Sequence, residues 1–398
     1  MRLLSAARQW SLADGLPESQ LAAIRFEIDR LLSETGRPSA AVSADRRRRL
    51  AQRLAAMVIF CRVGRFTTGP QPPPGGLDVA SLPSVPEPDE PGRPVTPAEY
   101  EEVLGTALFD AAGDATVSFR HQQYAEFLAA EYVARRRIIR PQLPALLGMN
   151  DEGLIPGPLT GAAAWLAALS PELVDGDLLA VNAEALAVSA VELPVRLRAH
   201  VVGGILGKAA AKDIDIPYGQ DMTALAHPGL AAQLAARLDG GQAEAEELWW
   251  IARLAHAGQC RALAARLLRE AVVPQHLSWV RCAVVIAVAA LGDDAQVLRL
   301  RELAGLGAPE DPRDEVLAVV IDWMYPRLLD TTALLAMVRP SRSTSLGPYW
   351  VLLRKLSARI PEGDLPEALS WAAARVEDGE GAYDDLLPRL VTRGWQIS

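Results

Sequence analysis

Residues 117–134 read Val117-Ser-Phe119-Arg-His121-Gln-Gln-Tyr124-Ala-Glu126-Phe127-Leu128-Ala129-Ala130-Glu-Tyr132-Val-Ala134. Thr116 to Phe119 alternates β-branched, polar and aromatic side chains, as a short strand does. From Gln122 onward the Ala- and Leu-rich run turns helical. Tyr124, Leu128 and Tyr132 recur at i, i+4 and i+8, one stripe of a helix facing a core. Glu126 lies off that stripe. It has no acid partner and no metal-ligand neighbours, so it reads as half of an ion pair with a nearby Arg rather than as a general base. His121 stands at the junction, where an imidazole either caps backbone groups or donates to a phosphate oxygen.

Working upstream, Thr96-Pro97-Ala98-Glu99 has the form of a helix start, with Thr96 as N-cap and Pro97 in the first helical position. That helix should reach about Thr106, with a turn at Ala111 to Asp114 before the strand. Two further amphipathic helices are expected, over residues 18–33 with a stop at Gly36 and Pro38, and from Ser43 through Cys61. The second carries Arg46 to Arg49 in its first turns, where cations are not intrinsically favoured. Between these helices and Thr96, residues 70–97 are crowded with Pro and Gly, which forbids continuous helix and predicts a long loop or linker without a core.

Downstream of Arg140 the chain reads as helix after helix. Ile251-Ala-Arg-Leu-Ala-His-Ala-Gly258 matches Val285-Ile-Ala-Val-Ala-Ala-Leu-Gly292 at an offset of 34 residues. Each Gly falls where a helix should end, and each segment continues into another helix, from Cys260 and from Asp294. Trp249 and Trp250 cannot both face inward on one helix, so one is expected on an interaction surface.

Half of the 398 residues are hydrophobic and only 6% are aromatic, a balance that suits packed helices. A net charge of -9 gives no global attraction to phosphate backbones, so nucleic acid is not the expected partner. Arg135, Arg136, Arg137 and Arg140 are accordingly read as cations at a helix C-terminus rather than as phosphate contacts. The three cysteines, Cys61, Cys260 and Cys282, have neither metal-ligand nor disulfide spacing and are expected as small core residues of a reduced, cytoplasmic protein. No segment approaches the length of a membrane span, and the start at Met1 lacks a signal-peptide core.

Two motif-like stretches are set aside. Gly203-Gly-Ile-Leu-Gly207-Lys208-Ala209 has its glycines too close for a phosphate loop and Ala where Ser or Thr would hold magnesium. Val319-Val-Ile-Asp322 has the apolar run and Asp of a Walker B strand but continues from Glu315 at helical spacing. Both read as helix. The other histidines, at 200, 227, 256 and 276, form no zinc-binding pair.

The pattern Phe-x-His-x-x-aromatic-x-Glu-Phe-Leu-Ala-Ala closely resembles the winged-helix module of NACHT-type STAND NTPases. Phe119, His121, Tyr124, Glu126, Phe127, Leu128, Ala129 and Ala130 occupy the matching positions. The resemblance implies a mostly α fold: a helical segment over 1–42, a winged-helix-like module with a small β-hairpin over 43–140 that carries the Pro-rich insertion 70–97, and a HEAT-like α-solenoid sensor over 141–398. It implies that His121 contacts the ADP phosphate of an NTPase domain in the resting state. A Gly-x-x-x-x-Gly-Lys-Ser/Thr loop is absent from the sequence. No catalysis by this chain alone is therefore expected. ATP or ADP with magnesium would belong to an NTPase partner in cis or in trans, and a protein trigger, in antiphage defence or signalling, would bind the repeats. A winged-helix DNA-binding regulator and a stand-alone HEAT-like scaffold are the alternatives.

Overall fold

The computed structural model describes residues 19–34, 42–67, 74–113, 116–136, 138–174, 176–189, 191–216, 219–241, 243–342, 347–377, 383 and 386–397. The start at Met1, the stop at Gly36 and Pro38, the residues around Pro70, Asp114, and Arg137 lie outside the described residues. The protein is mostly helical with a small four-stranded sheet. Two compact units divide it, one through Gly204 and one from Ile205.

In the first unit, α1 (Gln20–Ser33) begins at Ser19, whose hydroxyl accepts from the Ala22 amide at 3.1 Å. Helix α2 (Ala44–Phe60) begins at Ser43 in the same way and buries Leu50, Leu54 and Ile59. Strands β1 (Arg65–Thr67) and β2 (Gly76–Asp78) follow. Helix α3 (Pro97–Leu104) starts where Thr96, Pro97 and Glu99 place it, with the Thr96 amide donating to the Glu99 carboxylate at 3.0 Å. Next come β3 (Phe109–Ala111), β4 (Thr116–Phe119) and α4 (Gln122–Arg135). The sheet order is β2-β1-β4-β3, with β1 parallel to β2 and antiparallel to β4. The expected turn therefore begins later: Phe109 to Ala111 pairs with β4, and Gly113, at φ +86°, makes the reversal that an L side chain resists.

The Pro-rich segment departs most from expectation. Its described part is anchored in the unit: it supplies β2 and buries Val79, Glu87 and Val95. Polar side chains hold it, as its prolines cannot supply a backbone ladder.

Helix α4 is packed on two sides, against α2 and against α6 (Gly157–Leu169), which follows the short α5 (Leu143–Leu146). Burial from both sides explains a correction. Ala125, Phe127, Leu128, Ala129, Ala130 and Val133 form the buried surface, while Tyr124 and Tyr132 sit at its margins. Phe127 meets Trp165 of α6 edge-on with centroids 5.1 Å apart. Helices α7 (Gly176–Val181), α8 (Ala183–Val188) and α9 (Val195–Ala210) continue the chain, and the Gly-Lys stretch lies inside α9 as read.

The second unit alternates two sets of helices. One set is α11 (Ala245–Ala257), α13 (Ser278–Leu291), α15 (Glu315–Met324), α17 (Pro348–Arg359) and α19 (Leu386–Ile397), each packed on the next. The other is α10 (Leu230–Asp239), α12 (Ala264–Ala271), α14 (Asp294–Arg299), α16 (Thr331–Met337) and α18 (Leu365–Glu377), interleaved in sequence with the first. Gly258 and Gly292 are the C-caps of α11 and α13, as the internal match requires. At Gly258 a Cβ would collide with Leu230 of α10, so close helix approach selects the residue. Val319 to Asp322 lies within α15. Among the described residues no helix is long and apolar enough to cross a membrane.

Candidate functional site

At the β4–α4 junction His121 has extended backbone (φ -138°, ψ 136°) and is the N-cap of α4. Its carbonyl accepts from the Tyr124 amide at 3.1 Å, while its side chain makes no cap hydrogen bond. The imidazole is exposed and leans on the Tyr124 ring, with centroids 5.3 Å apart. The capping role open to it in the sequence is thus not taken up. Phe119 anchors the preceding strand by packing on Phe109 at 4.4 Å, and Arg120 pairs with Asp110 at 2.9 Å.

Glu126 is half-buried and has no ion pair among the described residues, contrary to the expected Arg partner. Burial raises its pKa, opposed by a hydrogen bond with Gln122 one turn earlier. Its carboxylate fills the space where a Cβ on Gly161 of α6 would stand. It packs the α4–α6 contact.

The basic clusters are also accounted for inside the unit. Arg46 is fully buried and pairs with Glu99 at 2.7 Å and with Glu90. Arg47 donates to the Leu32 carbonyl at 2.8 Å, and Arg48 pairs with Asp29 and with Glu131 of α4 at 2.8 Å. Arg49 reaches Glu90 at 2.8 Å. Glu87, with no solvent exposure, receives Arg135 at 2.8 Å, with Arg53 and Arg136 each at 3.7 Å. Arg140 donates to the Glu172 carbonyl at 3.0 Å. Arg135 lies in the last turn of α4 and Arg136 is its C-cap, at the helix terminus as read, and both also pair with the buried Glu87 carboxylate. Against a burial penalty that would raise it, the hydrogen bonds from Arg46 and the Thr96 amide hold Glu99 down at about 2.

The second unit carries a groove of about 440 Å³ across α11, α13 and α15. Trp250 is 2% exposed and Trp249 half-buried; both line the groove, and Trp249 meets Trp279 of α13 with centroids 6.1 Å apart. Glu246, Cys282 and Glu315 complete its polar lining. Burial pushes the Cys282 thiol well above its ordinary range, with the Glu315 and Asp311 carboxylates adding to the shift. The gathering of these residues into one groove escaped the sequence reading. Trp279, Cys282 and Ile286 stand at i, i+3 and i+7, a face that periodicity marks as one surface without saying whether it is covered.

Cys61 is exposed rather than in the core, and all three thiols are free. His227 meets Gln233 and His276 meets Glu270, each at 3.0 Å, and no metal-holding group occurs among the described residues. Comparison with known proteins finds no matching family model, curated protein or solved structure.

Proposed function

We propose that the chain is the regulatory and sensing portion of a NACHT-type STAND NTPase. In this reading β1, β4, β3 and α4 form a winged-helix module that latches an ADP-bound NTPase domain, and the alternating helices of the second unit are a HEAT-like solenoid that binds a protein trigger. The observation that carries it is the exposed His121 imidazole, held at a helix N-terminus without a cap hydrogen bond. An imidazole N–H there, beside the orphan amides of the first turn, is suited to a phosphate oxygen. The antiparallel β3-β4-β1 arrangement and the interleaved helix sets support the two halves of the reading. The chain alone would not hydrolyse ATP, and the cofactor, ADP or ATP with magnesium, would sit in the NTPase domain.

The DNA-binding alternative is weakened by the ion pairs that engage Arg46, Arg48, Arg49, Arg135 and Arg136. Cations already matched to carboxylates release few counterions from a phosphate backbone.

The test begins with the DNA in frame and adjacent to the codon for Met1, read for a phosphate loop. The NTPase domain found there is purified with this chain and its bound nucleotide measured. Retained ADP that falls about tenfold in His121→Ala, the loss of one charge-assisted contact, supports the latch. Absence of any phosphate loop, or ADP retention indifferent to His121, sinks it.

A further inference from the structure

We infer that the groove on the second unit receives a peptide segment of a protein partner that presents a Lys or Arg side chain beside an apolar residue. Its walls are aromatic and aliphatic, with Trp249, Trp279, Ile286 and Val319 contributed by three successive helices. Among the described residues its lining carries two carboxylates, Glu246 and Glu315, and no lysine or arginine. That is the complement of a cation on an apolar stem, the chemistry of Lys and Arg side chains.

Glu246 has no ion pair among the described residues. Glu315 accepts from the Ser278 hydroxyl at 3.3 Å and has only the exposed Arg313 at 3.9 Å. Both carboxylates therefore keep acceptor capacity for an incoming donor. The Trp279 ring, inclined at 61° to that of Trp249, offers an indole face of the kind that attracts cations. Arg253 illustrates this on the Trp249 ring, its guanidinium 4.6 Å from the centroid.

An extended segment fits better than a compact ligand because the apolar surface runs on past the groove. Leu277, at 55% exposure, adjoins its α13 wall, and Trp323 lies one turn beyond Val319 on α15, 38% exposed. Rings of His256 on α11 and Trp323 on α15 come to 6.3 Å, so the helices on either side of α13 approach at that end. A trough floored by α13 can hold a short run of side chains.

This deepens the sensor reading and rests on it only in taking the partner to be a protein. The nucleotide experiment reads His121 and the present one reads the groove, so either can fail alone. Four labelled dodecapeptides of one apolar sequence, with Arg, Lys, Gln or Glu at the centre, are titrated into the full chain and followed by fluorescence anisotropy. The Arg and Lys peptides should bind about tenfold more tightly than the other two, a cation–π contact plus a carboxylate. Glu246→Gln should shrink that ratio severalfold, and Trp279→Ala should weaken all four, with unchanged circular dichroism in both variants. Equal affinity across the set, no binding by any of the four, or indifference to both substitutions overturns the inference. So does self-association of the chain that Trp279→Ala abolishes, because the groove would then be occupied by a second copy.

Discussion

Glu87 in the Pro-rich segment accepts a hydrogen bond from Arg135 at the end of α4, 2.8 Å from Nη2 to Oε2, with its side chain fully withdrawn from solvent. Arg53 of α2 and Arg136 approach the same carboxylate, so one Pro-rich loop residue ties two helices together. Glu87→Ala would leave several partly buried guanidinium groups without their shared counterion and should cost about 3–5 kcal/mol. Asp89 pairs with Arg135 at 3.1 Å but is 50% exposed, and Asp89→Ala should cost less than about 1 kcal/mol. Urea denaturation of both variants checks the contrast. Equal midpoints would mean that Glu87 does not anchor the segment.

The depressed Glu99 carboxyl makes a statement about pH. Its folded value of about 2 lies below the ordinary 4.5, so the unfolded chain binds the proton first on acidification. The stabilisation is complete above about pH 4.5 and disappears as pH falls through about 2. Glu99→Gln should therefore be less stable than wild type at pH 7 and converge with it near pH 2. A constant difference across that window would refute the assignment.

Gly161 and Glu126 share one space on facing helices, since a Cβ at position 161 would overlap the Glu126 carboxylate. Because the overlapping atoms are the far end of the flexible Glu126 side chain, Gly161→Ala alone should cost less than about 1 kcal/mol, the low end of overpacking. In a Glu126→Ala background the same change should become neutral or gain up to about 1 kcal/mol, the helix-interior advantage of Ala over Gly. A double-mutant cycle measures that coupling, and additive effects would show that the two residues do not meet.

The three thiols should separate by environment. Cys61 is exposed, Cys260 is 7% exposed with its pKa raised by burial, and Cys282 is raised further. Only the thiolate attacks a disulfide reagent, so at pH 8 the native chain should show one fast equivalent, lost in Cys61→Ser. Three equally fast thiols would contradict the burial of Cys260 and the raised pKa of Cys282.

What the sequence disclosed and what it hid follow a physical division. Ser43, Thr96, Gly258 and Gly292 act within a turn or two of themselves, so the helix ends they mark were legible. Strands β1 and β2 are three residues each and exist through pairing with distant segments, which local periodicity does not report. The arginines of α2 looked misplaced at a helix N-terminus because their carboxylates lie 19 to 83 residues away in sequence. Tyr124 and Tyr132 were assigned to the core on period alone, whereas contact with two helices moved burial onto the alanines between them. In the second unit the Trp249–Trp250 pair announced a surface. Glu246 and Glu315, 69 residues apart in sequence, became part of it only when their helices came together.

His121 offers the sharpest separation of a structural role from a ligand-binding one. Its backbone caps α4 through the carbonyl, which any residue can supply, and its imidazole makes no cap hydrogen bond. A capping side chain replaced by Ala costs typically about 1 kcal/mol, whereas an exposed side chain without such a bond changes stability by less than about 0.5 kcal/mol. His121→Ala should therefore leave the melting temperature of the isolated chain within about 2 °C of wild type. Any loss of nucleotide retention in the complex with an NTPase domain would then belong to a missing contact rather than to a damaged module. A melting point lowered by about 3 °C or more, the order expected for a lost cap in a unit of this size, would assign His121 to the fold and remove the observation on which the latch rests.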